Sequence, residues 1–511
     1  MSDNGASRMT QSDFAFLGLF ALAKVLVNAT AMYGYGYFRD EMYYIECAKR
    51  LAWGYVDHPP LSLAILAVWR TLFGDSMLAL RFPAILAGAG SVFMAGLIAR
   101  EMGGKRFAQG LACLCVLVAP IYLTMGTFFS MNAFDQLFWT LGAYVLVRMI
   151  NRDDPRMWLW FGVVAGFGLL NKISVTFFGF GVVVAMLITP YRKYFLSRYL
   201  WLGGALAFLI FLPHLIWQAF NGWPTIEFTQ NAALYKNAPQ GPGKFLAGQV
   251  LFANPVALPI WLGGLLFGLF ARAGKQYRWL SFTYVVVFLL LSLTYGKDYY
   301  LSPIYPMMFA LGALAFERAT ETRRVLRPVM ASLIFLSGVA LAPLALPVLP
   351  IETFLAYARA THIQAPRQER SHTDEIPQHF GDRFGWPEMV EFVARAYNDL
   401  PEADRTKCAI YVDNYGEASA INFFGPQYGL PRAICGHNNY YLWGPGDYTG
   451  EVVLVYNGEE SELDELFAEV RQVGIFTHPY AMQYQNNKLL FLCRGIKIPL
   501  REAWPSTKKF V

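Results

Sequence analysis

Charge is scarce in this sequence. Asp, Glu, Lys and Arg make up 15% of its 511 residues, against 55% hydrophobic. So little charge argues against a string of water-soluble domains, and the positive mean hydropathy of +0.33 points to a polytopic membrane protein. Cysteine is scarcer still. The six cysteines, at 47, 113, 115, 408, 435 and 493, form no CxxC pair and no metal-type cluster. Cys113 and Cys115 lie inside an apolar run and read as packing residues. Cys408, Cys435 and Cys493 leave one disulfide open in the C-terminal region, with no pair singled out. No basic patch interleaved with aromatics stands out, so no nucleic-acid partner is expected. The net charge of +6 falls largely in short connections between apolar runs, where it reports topology. The first apolar run ends without a small-residue cleavage site and reads as a retained helix. There is no tandem or inverted repeat and no low-complexity segment.

Aromatic residues, in contrast, reach 16%, and Trp and Tyr collect where helices meet headgroups. Apolar runs of spanning length fall near 14–35, 76–99, 107–125, 128–149, 157–171, 173–190, 200–219, 246–270, 279–295, 302–317 and 328–349. That makes eleven candidate spans, with Asn171-Lys172 a natural break in the 157–190 region. The connections 100–106, 148–156, 191–198, 272–278 and 318–327 each hold at least three basic residues, which places them on the cytoplasmic side. The first loop, 36–75, then faces the opposite side. So do the turn before Asp135, Lys172, the 220–245 loop, the 296–298 turn and, the span count being odd, the C-terminal region.

The stretch 39–61 holds Asp40, Glu41, Glu46, Lys49, Arg50, Asp57 and His58 between two apolar runs. Ile45, Ala48 and Ala52 recur at helical spacing, which predicts an interfacial helix started by Asp40 and ended at Gly54. Pro59-Pro60 precedes a second amphipathic stretch, 61–73. The two helices are expected to roof a cavity with an acidic pair at its head. Segment 350–385 reads as a linker. From 386 to 511 the pattern is that of a water-soluble α/β domain: helices at 387–400, 417–424 and 461–473, strands at 408–412, 451–456 and 488–493, and a parallel or mixed sheet. It has no GxGxxG, no Walker pattern and no nucleophile elbow, so no independent enzyme is expected there. Within it, 412–417 opens a helix after a strand, a common ligand position, and 437–441 is polar and aromatic enough to touch a sugar.

Each candidate has a bland alternative. Asp40 is also a good helix cap, and Glu41 in a first turn suits the helix dipole. A carboxylate near His58, Lys172 and Lys297 on one side of a membrane is, however, what a general base needs when the leaving group is a phosphate anion. His58 could simply precede a Pro-Pro turn. Asp135 sits within the first turns of an apolar span, where an ionisable group is costly and a functional role is the default. Lys172 and Arg81 share that logic, with snorkelling as the alternative. The segment 296–306 could hold a lipid-linked phosphate through Lys297, Tyr299 and Tyr300, or form an aromatic belt.

Asp40-Glu41-x-x-Tyr44, then His58-Pro59-Pro60-Leu61, Asp135 in the fourth span, Gly168-Leu169-Leu170-Asn171-Lys172 and the 297–306 segment resemble the family 39-like bacterial glycosyltransferases. These are of GT-C type, and the group includes protein O-mannosyltransferases, lipid A aminoarabinose transferases and galacturonic acid transferases. The resemblance covers roughly the first 350 residues, 1–349 forming the transmembrane domain. It implies an α-helical polytopic membrane fold with a C-terminal soluble α/β domain in the periplasm of a bacterial inner membrane. It also implies inverting transfer of a sugar from a polyprenyl phosphate to a hydroxyl on a lipid, polysaccharide or protein. By matched position Asp40 is the general base, Glu41 supports it, and Asp135 is a second acidic residue near the site. Lys172, Lys297, Tyr300 and His58 are implied donor-phosphate contacts, His58 standing where aminoarabinose transferases carry Lys. Tyr44 and Tyr299 support the site. A divalent metal ion, used by some GT-C relatives, is the one cofactor the resemblance leaves open. A lipid-linked sugar transporter or flippase, and a non-catalytic envelope-assembly protein, remain the alternative classes.

Overall fold

The computed structural model describes residues 10–362, 368–371 and 375–511. The chain folds as two compact units. One takes the described residues up to Gly34 together with Leu72–Ile216 and Pro239–His362; the other takes Tyr35–Thr71, Trp217–Ala238 and the described residues of Ile363–Val511.

All eleven apolar runs are helical in the first unit and its continuations, and the interruptions follow from proline. Run 107–125 divides into Arg106–Val118 and Pro120–Met125, because Ala119 is extended ahead of a proline that cannot donate. Run 246–270 is not the single span expected: Pro242–Phe252 and Pro255–Phe270 meet at a 95° bend, where Asn254 adopts a positive φ before Pro255. The expected break at Lys172 is present, the helix Met157–Asn171 ending on an extended Lys172. Among the described residues six helices are long and apolar enough to cross a membrane alone, or up to eight with each bent pair counted as one. Met157–Asn171 is among the shorter apolar helices, and Met131–Arg152 covers the expected fourth span.

The short helix Pro120–Met125 leaves its last-turn carbonyls few helical partners, the Leu123 carbonyl accepting a 3.3 Å bond from the Gly126 N–H at the cap. Lys24 Nζ donates to the Tyr122 carbonyl at 2.6 Å, and Asn28 Nδ2 to the Leu123 carbonyl at 2.8 Å. Both donors are fully buried and lie one turn apart on the helix Gln11–Thr30. Elsewhere small residues let helices touch through their backbones: a Cβ on Gly162 would fall on the Gly203 carbonyl.

In the second unit a five-stranded mixed sheet has the order β2-β1-β3-β5-β4, with β1 Cys408–Val412, β2 Ala433–Ile434, β3 Val452–Tyr456, β4 Phe467–Phe476 and β5 Lys488–Ile496. β1 runs parallel to β2 and β3, with Ile410 beside Ala433 and Leu454, while β5 is antiparallel to β3 and β4. Ala409, Val453, Val455, Phe491 and Cys493 pack one face with Leu463, Phe467 and Trp504. The expected helix 461–473 stops at Leu466, and the rest is β4. Val470, Val473 and Ile475 are β-branched, and pairing with β5 outweighs the helical spacing. All six cysteines are buried and free, so the disulfide left open by the sequence does not form.

The first loop belongs to this second unit. Its helix is Arg39–Ala48, shorter than expected, and most of it is buried instead of lying exposed on an interface. Residues 49–60 are held by Tyr55, whose hydroxyl sits 3.2 Å from the Ala52 N–H and 3.1 Å from the Cys47 carbonyl. The stretch expected as a linker, 350–385, contains the helix Ile351–Thr361 and the buried Phe380, Asp382 and Arg383. Its residues 363–367 and 372–374 lie outside the described residues.

Candidate active site

In the second unit the helix Arg39–Ala48 is capped by Glu41. The Glu41 carboxylate accepts the Phe38 N–H at 2.9 Å, satisfying one of the free donors of the first turn, and the residue is fully buried. The capping task weighed for Asp40 therefore falls to its neighbour. Asp40 Oδ1 accepts from the Tyr415 hydroxyl at 2.8 Å and from Arg39 Nε at 3.3 Å. Its Oδ2 carries no hydrogen bond among the described residues, and the side chain is 28% exposed.

Arg39 is fixed from behind. Its Nη1 donates to the Tyr484 hydroxyl at 2.8 Å, which donates to Asp382 Oδ1 at 2.6 Å; Nη2 lies 3.7 Å from Asp382 Oδ2. Against the cost of burial, Asp382, Tyr415, Tyr484 and Asp40 hold the guanidinium well above its ordinary range. Burial pushes the Tyr415, Tyr44 and Tyr43 hydroxyls well above the usual tyrosine value, so each stays a donor. At the other end of the helix Glu46 meets Lys49 at 2.8 Å and Arg432 at 3.3 Å.

His58 is enclosed instead of presented to solvent. It is 2% exposed, with the rings of Tyr55, Tyr44 and Tyr43 at 5.0, 5.2 and 6.1 Å. Its Nε2 lies 3.6 Å from Asp57 Oδ1, an atom that also accepts from the Tyr43 hydroxyl at 3.1 Å. The structure thus packs His58 against Tyr43 and Tyr44 of the helix that carries Asp40.

The two C-terminal stretches singled out as ligand positions are closed by their own contacts. Asn414 Oδ1 accepts the Gly416 and Glu417 N–H groups, while Glu417 Oε2 accepts those of Asp413 and Asn414. Burial, aided by Asp413, pushes the Glu417 carboxyl up to about 8. In the 437–441 segment His437, Asn438, Asn439 and Tyr440 are buried, and Tyr441 is half-buried.

In the first unit Asp135, Lys172, Tyr299 and Tyr300 do come together. Lys172 Nζ donates to Asn132 Oδ1 at 2.7 Å, lies 3.8 Å from Asp135 Oδ2, and stands over the Tyr300 and Tyr299 rings at 4.8 and 5.8 Å. Asp135 is 1% exposed and both its oxygens are occupied, Oδ1 by Trp139 Nε1 at 3.1 Å and Oδ2 by Ser174 Oγ at 2.7 Å. This carboxylate is the counter-ion of a half-buried cation. Lys297, 9% exposed, precedes the turn Asp298–Ile304 that carries both tyrosines. Arg81 is buried and donates to the Met32 carbonyl instead of snorkelling. Among the described residues no group of three or more His, Cys, Asp or Glu side chains is arranged to hold a metal ion.

Sequence reasoning missed Asn132, Ser174, Asp382 and Tyr484. Asn132 and Ser174 carried a signal, standing three residues before Asp135 and two after Lys172. Tyr415 lies in the 412–417 stretch read as a ligand position, but nothing local joins it to Asp40, 375 residues away.

Comparison with known proteins now bears on this geometry. Residues 57–217 match the family described as dolichyl-phosphate-mannose-protein mannosyltransferase. A lipid A galacturonosyltransferase of Rhizobium johnstonii is 24% identical over 294 residues, spanning 55% of this chain and 60% of that one. A polyprenol-phosphate-mannose–protein mannosyltransferase of Corynebacterium glutamicum is 25% identical over 244 residues, 41% of this chain and 46% of that one. The crystal structures of ArnT from Cupriavidus metallidurans, apo and bound to undecaprenyl phosphate, match with a TM-score of 0.59 at 14% identity, covering 94% of this chain and 98% of that one. The chain has the GT-C fold. With its helices of spanning length it is a multi-pass membrane protein. The matched family segment takes in His58, Asp135 and Lys172, while Asp40, Glu41, Tyr44, Lys297, Tyr299 and Tyr300 lie outside it.

Proposed function

We propose that the chain is a membrane glycosyltransferase that moves a sugar from a polyprenyl-phosphate donor to a hydroxyl-bearing envelope acceptor, with inversion. The reaction takes place on the periplasmic face of the bacterial inner membrane, where the C-terminal domain also lies. Asp40 removes the proton of the acceptor hydroxyl through Oδ2. The acceptor oxygen bonds to the anomeric carbon from the face opposite the phosphate, and the carbon–oxygen bond to phosphate breaks. Its electron pair leaves with the polyprenyl phosphate, whose charge Lys172 and Lys297 offset and the Tyr300 hydroxyl hydrogen-bonds. Asp135 keeps Lys172 charged and oriented, Glu41 holds the helix start, and His58 with Tyr44 supports the loop. A phosphate is already a competent leaving group, so positioning and one base suffice.

The observation that carries this reading is the division of labour at Asp40, with one oxygen anchored by two donors and the other open, in a chain with the GT-C fold. A transporter or a passive assembly protein does not need an anchored, open carboxylate. The test is transfer in proteoliposomes from undecaprenyl-phosphate galacturonic acid and undecaprenyl-phosphate mannose to membrane-extracted acceptors. Native chain should transfer one of them, and Asp40→Asn should keep undecaprenyl phosphate binding while transfer falls about a thousandfold. Donor movement across the bilayer with no transfer would overturn the reading.

A further inference from the structure

Asp40 is useful as a base only if its open oxygen points one way. A carboxylate on a short side chain turns freely about its last torsion unless something holds it. Here two donors meet on Oδ1, Arg39 from the same helix and Tyr415 from the helix Tyr415–Phe424 of the C-terminal domain. The Arg39 contact is the longer, 3.3 against 2.8 Å, and comes from the adjacent residue. Tyr415 is the anchor that the chain itself brings from far away.

The Tyr415 ring cannot swing. It is 5% exposed, packed against the Tyr43 ring at 4.6 Å and the His437 ring at 4.9 Å, with the Arg39 guanidinium over its face at 5.3 Å. Its backbone is the first residue of a helix whose start is closed by Asn414 and Glu417. The next residue is Gly416, and a Cβ there would stand 2.6 Å from Arg39 Cγ, so glycine lets the two helices approach closely enough for the hydroxyl to reach. Burial keeps that hydroxyl protonated, hence a donor.

We infer that Tyr415 is a positioning residue for the reaction: its hydroxyl fixes the Asp40 carboxylate so that Oδ2 faces the acceptor, which makes the C-terminal domain part of the catalytic apparatus. This rests on the reading of Asp40 as general base. The consequence is a domain that works through one hydrogen bond without touching substrate.

The experiment uses the full chain in proteoliposomes, with whichever of the two undecaprenyl-phosphate sugars the native protein transfers. Tyr415→Phe keeps the ring and removes only the hydroxyl. It should lower kcat on the order of tenfold with the donor KM unchanged. Tyr440→Phe is the control: its ring also stacks on Tyr43, at 6.3 Å, but its hydroxyl meets Ser419 and Asn422 instead of Asp40. It should turn over like the native chain. In an Asp40→Asn background, Tyr415→Phe should cost nothing further, because the group it orients is gone. Native turnover in Tyr415→Phe would overturn the inference while leaving Asp40 as the base. So would a loss confined to KM, a full additive loss in the Asp40→Asn background, or a fall in kcat matched by lost undecaprenyl phosphate binding sites. No transfer by the native chain with either donor would instead overturn the glycosyltransferase reading itself.

Discussion

Asp40 and Asp135 are both acids beside a cation, one in each unit, and their oxygens are spent differently. Asp135 lies 3.8 Å from Lys172 with both oxygens accepting hydrogen bonds and 1% of its surface exposed. Asp40 sends both its bonds to a single oxygen and keeps 28% of its side chain accessible. A buried carboxylate must satisfy every lone pair or bear the cost of desolvation. A base must do the opposite and leave one free. The sequence alone presents both as functional acids; under the proposed function, the donors on each oxygen make Asp135 a counter-ion and Asp40 the base.

The contrast breaks most sharply under matched substitutions. Asp40→Asn should reduce transfer about a thousandfold while thermal unfolding of the purified chain hardly moves. Asp135→Asn should do the reverse in its primary effect. It takes the counter-ion from the half-buried Lys172 and puts an amide against Ser174 and Trp139, at a cost of about 1 to 3 kcal/mol read in the denaturation midpoint. Replacing both partners, Asp135→Leu with Lys172→Met, should recover most of that stability but not donor-phosphate binding. If Asp135→Asn melts like the native chain and only turnover falls, Asp135 is not a structural counter-ion and the contrast fails.

A third acid sharpens the comparison within the second unit. Glu417 is buried, with two backbone N–H groups on Oε2 and its carboxyl raised from 4.5 to about 8. Raised in the folded state, it binds a proton there that the unfolded chain releases, so its contribution to stability is full below pH 4.5 and is lost as pH rises toward 8. Glu417→Gln should flatten the fall in melting temperature between pH 5 and about 8. An unchanged slope would place the titrating group elsewhere. The smallest effect belongs to Glu41. Glu41→Ala removes a helix cap and should cost about 1 kcal/mol, with turnover per folded molecule nearly kept.

Much of the fold was legible because it is written locally. Every apolar run is helical, and the break after Asn171 was visible as a polar pair. The bend at Asn254-Pro255 was equally local but lay inside a run read whole. Strand β4 was misread because Glu460–Leu466 begins as a helix, and only pairing with β5 makes Phe467–Phe476 a strand. In the first unit Lys172, Asp135, Tyr299 and Tyr300 were singled out and do cluster. In the second, Asp40 and the 412–417 stretch that carries Tyr415 were each singled out, but nothing in the sequence joined them.

The sequence by itself determined a multi-pass helical protein with a mixed-sheet domain and put chemistry-bearing residues into its loops, since hydrophobic length and turn residues act on their own neighbourhood. Tertiary structure decided which acid is spent and which is open. That depends on a tyrosine 375 residues from Asp40 and a glycine that admits Arg39 beside it, and hydrogen-bond partners so distant leave no periodicity to read.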